Sequence, residues 1–356
     1  MRITLGGRLG RALASLVTLG VAGALTVTTG AATQATAAAK VPLDIRVASY
    51  NVQNVSLDKT QGEQRPWRER RAGVIANIIG ENVDVIGVQE VNPSSAYKSR
   101  LVAGKNQYVD LRNGLNAAGG AFALTNKYAF NCKKARTQYR CKKKNRGSSH
   151  SDRILFNTRT LVLVDQGSLK YQAQRSTTSP QHMGWAVLRT IATGAEFLFT
   201  TTHLEPKVES VRKAQWQEMI AKINALKGVR PVVATGDFNT HRSSPLGSQM
   251  IPAMKANGYG DVVGQVPYVN SLDHPRPQSL VNRWMNTANK LSRDVRVSKY
   301  YSEPWRPGHN IDWIFASNHL PVPEWKVVAN FDPNTWLMNG VIPSDHHMVR
   351  ATLTLP

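Results

Sequence analysis

The chain has 356 residues, 41% of them hydrophobic and 19% charged, with two cysteines and a formal net charge of +22 at pH 7. That length suffices for one large core or two smaller ones, and a charge so far from zero calls for an acidic partner: nucleic acid, an anionic surface or a polyphosphate. Beyond residue 39 no stretch approaches the ~20 apolar residues of a membrane span, and the two thiols lack histidines at ligand spacing, which argues against a zinc site.

Arg2, Arg8 and Arg11 precede a small, apolar run from Ala12 to Val27, and Ala35-Thr36-Ala37 or Ala37-Ala38-Ala39 offers a small-x-small cleavage site. Residues 1–39 are therefore expected to be a secretory signal, and the mature protein, residues 40–356, to be extracellular. The alternative of a retained anchor fits less well with so short and threonine-rich a run. Loss of the three arginines takes the net charge from +22 to +19. In an exported chain Cys132 and Cys141, with eight residues between them, are expected to close a disulfide loop.

Strands and helices then alternate without repeats. Asp44 to Ser49 alternates in the manner of a strand. Pro66 to Gly80 reads as a helix, with proline at its start and Val74, Ile75, Ile78 and Ile79 on one face. Val83 to Gln89 is a nearly continuous apolar strand, expected to be buried on both faces. Arg153–Asn157 and Thr160–Val164 read as neighbouring strands, and Trp185–Ile191 and Glu196–Thr202 as a hairpin about Thr193-Gly194. Lys207 to Lys227 is the clearest helix, with Val208, Val211, Met219, Ile223 and Leu226 on one face, Trp216 and Ile220 on its flank and Gly228 as a stop. Pro231–Thr235, Ile311–Ala316 and Met348–Leu353 complete the strands. Tyr259 to His309 is polar and proline-rich, and reads as long functional loops. Hairpins mixed with strand–helix alternation exclude a simple βαβ repeat and favour a mixed-sheet α/β sandwich.

Nearly every one of these strands stops at an acid, an amide or an imidazole. SYNVQ ends on Asn51, VIGVQEV delivers Glu90, and FLFTTTHLE delivers His203. VVATGDFN delivers Asp237 and Asn239, NIDWIFAS opens with Asp312, and SDHHMV carries Asp345 and His346. Each alone is most simply a turn residue or a structural histidine. Six segments of this kind at strand ends point instead to one crevice lined by oxygen ligands and imidazoles. Carboxylate and amide oxygens suit a hard cation, and histidine supplies an acid or base near neutral pH. That chemistry is metal-assisted hydrolysis of a phosphoester.

The order SYN, QE, THLE, GDFN, IDWIF and SDHH resembles the endonuclease/exonuclease/phosphatase superfamily over about residues 43–355. The resemblance implies a four-layered α/β/β/α sandwich with two mixed, mainly antiparallel sheets, and a single catalytic domain. It implies Asn51, Glu90 and Asp345 at a divalent metal site, for Mg²⁺ with Ca²⁺ or Mn²⁺ as alternatives. Asp237 and Asn239 would position or deprotonate the attacking water, and His203 and His346 would contact the phosphate. Asp312 would orient His346, and Asp152, in SHSDRILF, would orient His203. Every expected catalytic position is filled, which disfavours an inactive binding module.

The family divides over nucleic acids, lipids and small phosphoesters. Cys132 to Arg146 holds eight basic residues and no acid: Lys133, Lys134, Arg136, Arg140, Lys142, Lys143, Lys144 and Arg146. A looped basic finger of that kind suits a polynucleotide backbone. Arg283 to Trp305 interleaves Trp284, Tyr300, Tyr301 and Trp305 with cations, either to stack on bases or to anchor loops on the core. Trp336, Leu337 and Met338 form a small apolar patch that a lipid-directed enzyme would use. The balance favours a nuclease cutting DNA, RNA or both, with a lipid-head-group or small-ester phosphodiesterase or phosphatase as the alternative. No stable membrane insertion, obligate protein partner or oligomer is expected.

Overall fold

The computed structural model describes residues 41–126, 128, 147–176, 180–265, 280–298 and 307–356. The expected signal, Cys132 and Cys141, the basic segment 132–146, and Lys299, Tyr300, Tyr301 and Trp305 lie outside the described residues. In chain order the elements are β1 (Leu43–Asn51), α1 (Trp67–Gly80), β2 (Val85–Gln89), α2 (Gln107–Ala117), β3 (Phe122–Leu124), β4 (Arg153–Asn157), β5 (Leu161–Lys170), β6 (His182–Thr190) and β7 (Glu196–His203). There follow α3 (Glu209–Lys227), β8 (Val232–Asp237), α4 (Pro245–Ala256), β9 (Tyr259–Asp261), α5 (Val262–Gln265), β10 (Leu280–Val281), β11 (Asp312–Ser317), β12 (Glu324–Val328) and β13 (Met348–Leu355).

The strands form two sheets, ordered β10-β12-β13-β1-β2-β4-β3 and β5-β6-β7-β8-β11-β9. Pairing is antiparallel except at β1/β2, β10/β12 and β7/β8. Three apolar layers separate the four structural ones. Ile45, Val47 and Val85 meet Phe197, Phe199, Val233 and Ile314 between the sheets. Trp67, Val74, Ile78 and Leu111 of α1 and α2 cover the outer side of the first sheet, against Tyr50, Ile86 and Val88. Trp216, Met219, Ile223 and Met250 of α3 and α4 cover the second, against Leu198, Val232, Ala234 and Phe315. This is the α/β/β/α sandwich. β2 lies inside it with every residue buried, as its nearly continuous apolar run requires.

Several elements differ from the sequence reading. β5 runs on past Val164 to Lys170, and β6 begins at His182 rather than Trp185, because backbone pairing continues through polar residues across an irregularity at Leu163/Asp165. Gly167 is required there, since a Cβ would come within 2.4 Å of the Trp185 ring. The buried stripe of α3 is rotated: Arg212 and Gln215 take inward positions where Val208 and Val211 were expected. They serve the chain after β7, Gln215 Oε1 accepting from Glu205 N at 2.8 Å and Arg212 donating to Glu205 O at 2.7 Å. Within Tyr259–His309, β9, α5, β10 and a short 3-10 turn at Val295–Val297 replace what read as loop.

Candidate active site

Both sheets end on the same crevice. β1 and β2 are parallel, with Asn51 opposite Gln89, so Asn51 and Glu90 emerge side by side. β7 and β8 are parallel, with His203 opposite Asp237, and β11 runs antiparallel to β8 with Asp312 opposite Asp237. One edge of the second sheet thus presents His203, Asp237 and Asp312 in adjacent strands. Glu90 and Asn239 both take left-handed backbone conformations, φ +64° and +47°, which re-aim their side chains where the strands stop. Such conformations cost free energy and concentrate at functional sites.

Asn51 links the two sheets. Its Nδ2 donates to Glu90 Oε1 at 3.0 Å and to Asp237 Oδ2 at 3.2 Å, and it is wholly buried. Glu90 Oε2 accepts from Asn54 N at 3.0 Å. Asp237 Oδ1 accepts from Asn239 N at 2.9 Å, leaving Oδ2 between His203 Nε2 at 3.4 Å and His346 Nε2 at 3.7 Å. At those separations the contacts are electrostatic rather than hydrogen bonds. His346 Nδ1 meets Asp312 Oδ2 at 2.8 Å, which turns Nε2 towards the crevice.

The electrostatics follow from burial opposed by charge. Burial disfavours protonated His346, but Asp312, Asp237 and the Asp312 hydrogen bond outweigh it and hold the imidazole well above its ordinary value. His203 is raised in the same way, burial being overcome by Asp237, Glu90 and Asp152. Burial pushes the Asp152 carboxyl up to about 8, with His203 and Arg153 opposing. Asp345 is likewise raised, first by burial and then by Glu90, against the pull of His346. His347, the second imidazole of the SDHH segment, is driven down to about 4 by burial and by His346, and is a neutral core residue.

Five acidic side chains, those of Glu90, Asp152, Asp237, Asp312 and Asp345, therefore face two imidazoles. Asp152 Oδ1 and Asp312 Oδ1 are buried without a hydrogen-bond partner. Concentrated negative charge of this kind is costly unless a cation accompanies it. Asn51, Glu90 and Asp345 offer the hard oxygens a divalent ion takes, so the donor set fits one. Asp237, Asp312 and His346 form a second grouping, with ligand atoms within 4.8 Å of one another. There Nδ1 of His346 is engaged by Asp312, and the geometry is that of a proton-handling pair.

The structure brings Asn51, Glu90, His203, Asp237, Asn239, Asp312, Asp345 and His346 to this crevice, but not every expected pairing is made. No ion pair forms between Asp152 and His203. The carboxylate beside His203 is Asp237, because the parallel register of β7 and β8 sets them next to each other. The two groups still act on each other electrostatically, His203 favouring ionisation of the buried Asp152 carboxyl and Asp152 favouring protonation of the imidazole. The sequence reading also missed the frame behind the site. Thr287 Oγ1 accepts from Ile311 N and Asp312 N, and its carbonyl accepts from His347 N at 2.7 Å. Asn289 N and Lys290 N both donate to Asp345 O. The only signal was the length of the polar Tyr259–His309 stretch.

Residues 48–346 match the model of the Endonuclease/Exonuclease/phosphatase family. The chain belongs to that family. Its members hydrolyse phosphoesters, and this chain is a hydrolase of that superfamily. Among solved structures it is similar to an endonuclease/exonuclease/phosphatase family protein from Bacteroides thetaiotaomicron, with 19% identity over 89% of this chain and 99% of the other and a TM-score of 0.61. A mannosyl-6-phosphatase from B. thetaiotaomicron VPI-5482 is 18% identical over 87% of this chain and 100% of its own, with a TM-score of 0.57. D. rerio TDP2, complexed with single strand DNA product, is 17% identical over 87% and 98%, with a TM-score of 0.54. At these identities the likeness concerns the fold. No curated protein matches the chain.

Proposed function

We propose that the protein is an exported, divalent-metal-dependent nuclease that hydrolyses phosphodiester bonds of DNA, RNA or both with little sequence preference. The observation that carries the reaction type is the convergence of five acidic side chains and two imidazoles held towards protonation at the ends of both sheets. The observation that favours a polymeric polyanion is the net charge, +22 for the full chain and +19 without residues 1–39. The DNA product held by D. rerio TDP2, on the same fold, is in keeping with that choice.

Asn51, Glu90 and Asp345 would hold a magnesium ion, with calcium or manganese as alternatives, and the ion would supply positive charge to the phosphate oxygens. Asp237 Oδ2 lies in the crevice between the two Nε2 atoms, placed to align a water and take its proton as the water oxygen bonds to phosphorus. Asn239, pinned by its Nδ2 bond to Leu204 O at 2.9 Å, borders the same space. His203 and His346 donate from Nε2 to phosphate oxygens. As the ester P–O bond breaks, a proton from this pair reaches the departing oxygen. Asp312 holds His346 in the tautomer and charge state that this needs. The products are expected to carry 5′-phosphate ends.

The lipid-directed alternative loses its apolar loop. Met338 is buried, and Trp336 packs edge-on against Trp284 and stacks with Phe331, leaving Leu337 as the exposed member. A small-ester phosphatase remains the second reading, since the mannosyl-6-phosphatase shares the fold. The test is a substrate panel of supercoiled plasmid, total RNA, sphingomyelin and sugar phosphates, with Mg²⁺ or EDTA. Metal-dependent nicking or RNA degradation supports the nuclease. Intact polymers beside phosphate or phosphocholine release would replace it with the second reading. Export predicts that the protein recovered outside the cell begins near residue 40; a product still beginning at Met1 would contradict it.

A further inference from the structure

The buried face of α1 carries one charge that the chemistry above does not use. Arg70 is 0% exposed. Its Nη1 donates to Val52 O at 2.5 Å and to Pro343 O at 3.1 Å, and its Nη2 to Gln53 O at 2.7 Å. Those carbonyls belong to two segments almost three hundred residues apart in sequence. The first directly follows Asn51; the second directly precedes Ser344, Asp345 and His346. Asp58 Oδ1 lies 3.5 Å from Nη2, and Cζ sits 5.2 Å from the Trp67 ring centre.

A fully buried guanidinium is an expensive way to fill space, and here its Nε has no hydrogen-bond partner. The neighbouring inward positions of α1, Val74, Ile75 and Ile78, are filled by aliphatic residues. What a planar fork of donors does, and an aliphatic or a lysine does not, is bind several carbonyls in fixed geometry at once. Two further contacts mark the same seam. Ser344 Oγ donates to Asn51 O at 2.7 Å. A Cβ on Gly73, about one helical turn beyond Arg70, would lie 2.8 Å from Pro343 Cγ, so α1 closes directly on the second segment.

We propose that Arg70 is a positioning residue of the hydrolytic site: it ties the 51–54 and 343–346 segments together at the separation at which Asn51, Glu90 and Asp345 share one divalent ion. This rests on the ligand assignment of the preceding section. Replacing residues that support metal ligands from behind weakens metal binding about 10- to 100-fold.

Manganese titrations followed by electron paramagnetic resonance test it, on the wild type and on Arg70→Met, Arg70→Lys, Glu90→Gln and Val74→Ala, with each melting temperature taken without metal. Arg70→Met is expected to bind manganese at least about tenfold more weakly, and Arg70→Lys, which keeps charge but not the fork, to fall between it and wild type. Val74→Ala trims core packing from the same helix, so it lowers the melting temperature and leaves the affinity unchanged. If Arg70→Met does not fold, Arg70→Lys decides. Wild-type affinity in both folded Arg70 variants, or a loss in Val74→Ala equal to theirs, overturns the proposal. Equal binding by wild type and Glu90→Gln overturns the ligand assignment itself, and the tie with it.

Discussion

Asp237 accepts from Asn51 and Asn239 and faces two imidazoles, while Asp312 stands behind one of them. The two acids therefore serve the reaction by different routes. Asp237→Asn removes the group that takes the water proton, whereas Asp312→Asn leaves His346 in place without its orienting charge. Both are expected to lower kcat about 10²- to 10⁴-fold with little change in KM. Steady-state kinetics on a chromogenic phosphodiester, with circular dichroism to confirm folding, checks this; full activity in Asp312→Asn would remove it from the mechanism. A different single-residue effect concerns stability. Gly87 sits on β2 where a Cβ would come within 2.3 Å of Thr201 Oγ1 and 2.4 Å of Thr235 Oγ1, so the sheets close on bare backbone just before Glu90. Gly87→Ala is expected to cost about 1–3 kcal/mol, read from the urea midpoint.

At the level of elements, the register of β7, β8 and β11 does most to assemble the site, because it fixes three reactive side chains in adjacent strands. Another pair of elements contributes to the acid sensitivity. His150, just before β4, stacks on His182 of β6 with ring centres 4.1 Å apart. Burial holds His150 down to about 2, with His182 and Arg153 adding to it, and holds His182 down to about 3, with the Pro180 hydrogen bond opposing. Between the ordinary imidazole value of 6.5 and these values the unfolded chain binds protons that the folded one does not. The stability present above pH 6.5 is therefore lost as pH falls through that window. From pH 7 to pH 5 the wild type should lose about 2 kcal/mol more than His182→Gln, measured by urea unfolding at both values. An equal loss would show that His182 is not buried in its neutral form.

The strands that carry reactive residues were legible for a physical reason: a buried apolar run that stops abruptly at Asn51, Glu90 or Asp237 leaves a pattern in the sequence. The frame behind them left none. Thr287 and Asn289 act through backbone groups, and Arg70, Gln215 and Arg212 are polar residues on buried helix faces, where hydrophobic periodicity predicts apolar ones. α2 and α4 went unread because buried Gln107 and Asp110 interrupt the stripe of the first, and Pro252 lies inside the second. The place of Asp237 beside His203 was hidden for a related reason, since the register that sets it depends on how two distant segments align.

For the whole molecule, the net charge of +22 makes ionic strength the natural variable. DNA affinity is expected to fall steeply and linearly in log salt. Neutralising Lys142, Lys143 and Lys144 should weaken binding and flatten that slope by roughly 0.9 for each phosphate that the variant no longer neutralises, as filter binding at several salt concentrations would show. An unchanged slope would mean that these lysines do not meet the backbone. The central claim is that this chain cleaves phosphodiesters by a metal-assisted reaction at the crevice around Asp237. Its most direct test is the rate of plasmid nicking in Mg²⁺, in EDTA and in Mg²⁺ with Asp237→Asn, with DNA binding measured alongside. Cleavage is expected in the first condition only, with DNA still bound by the variant. Cleavage that persists in EDTA or in the folded Asp237→Asn protein would contradict it.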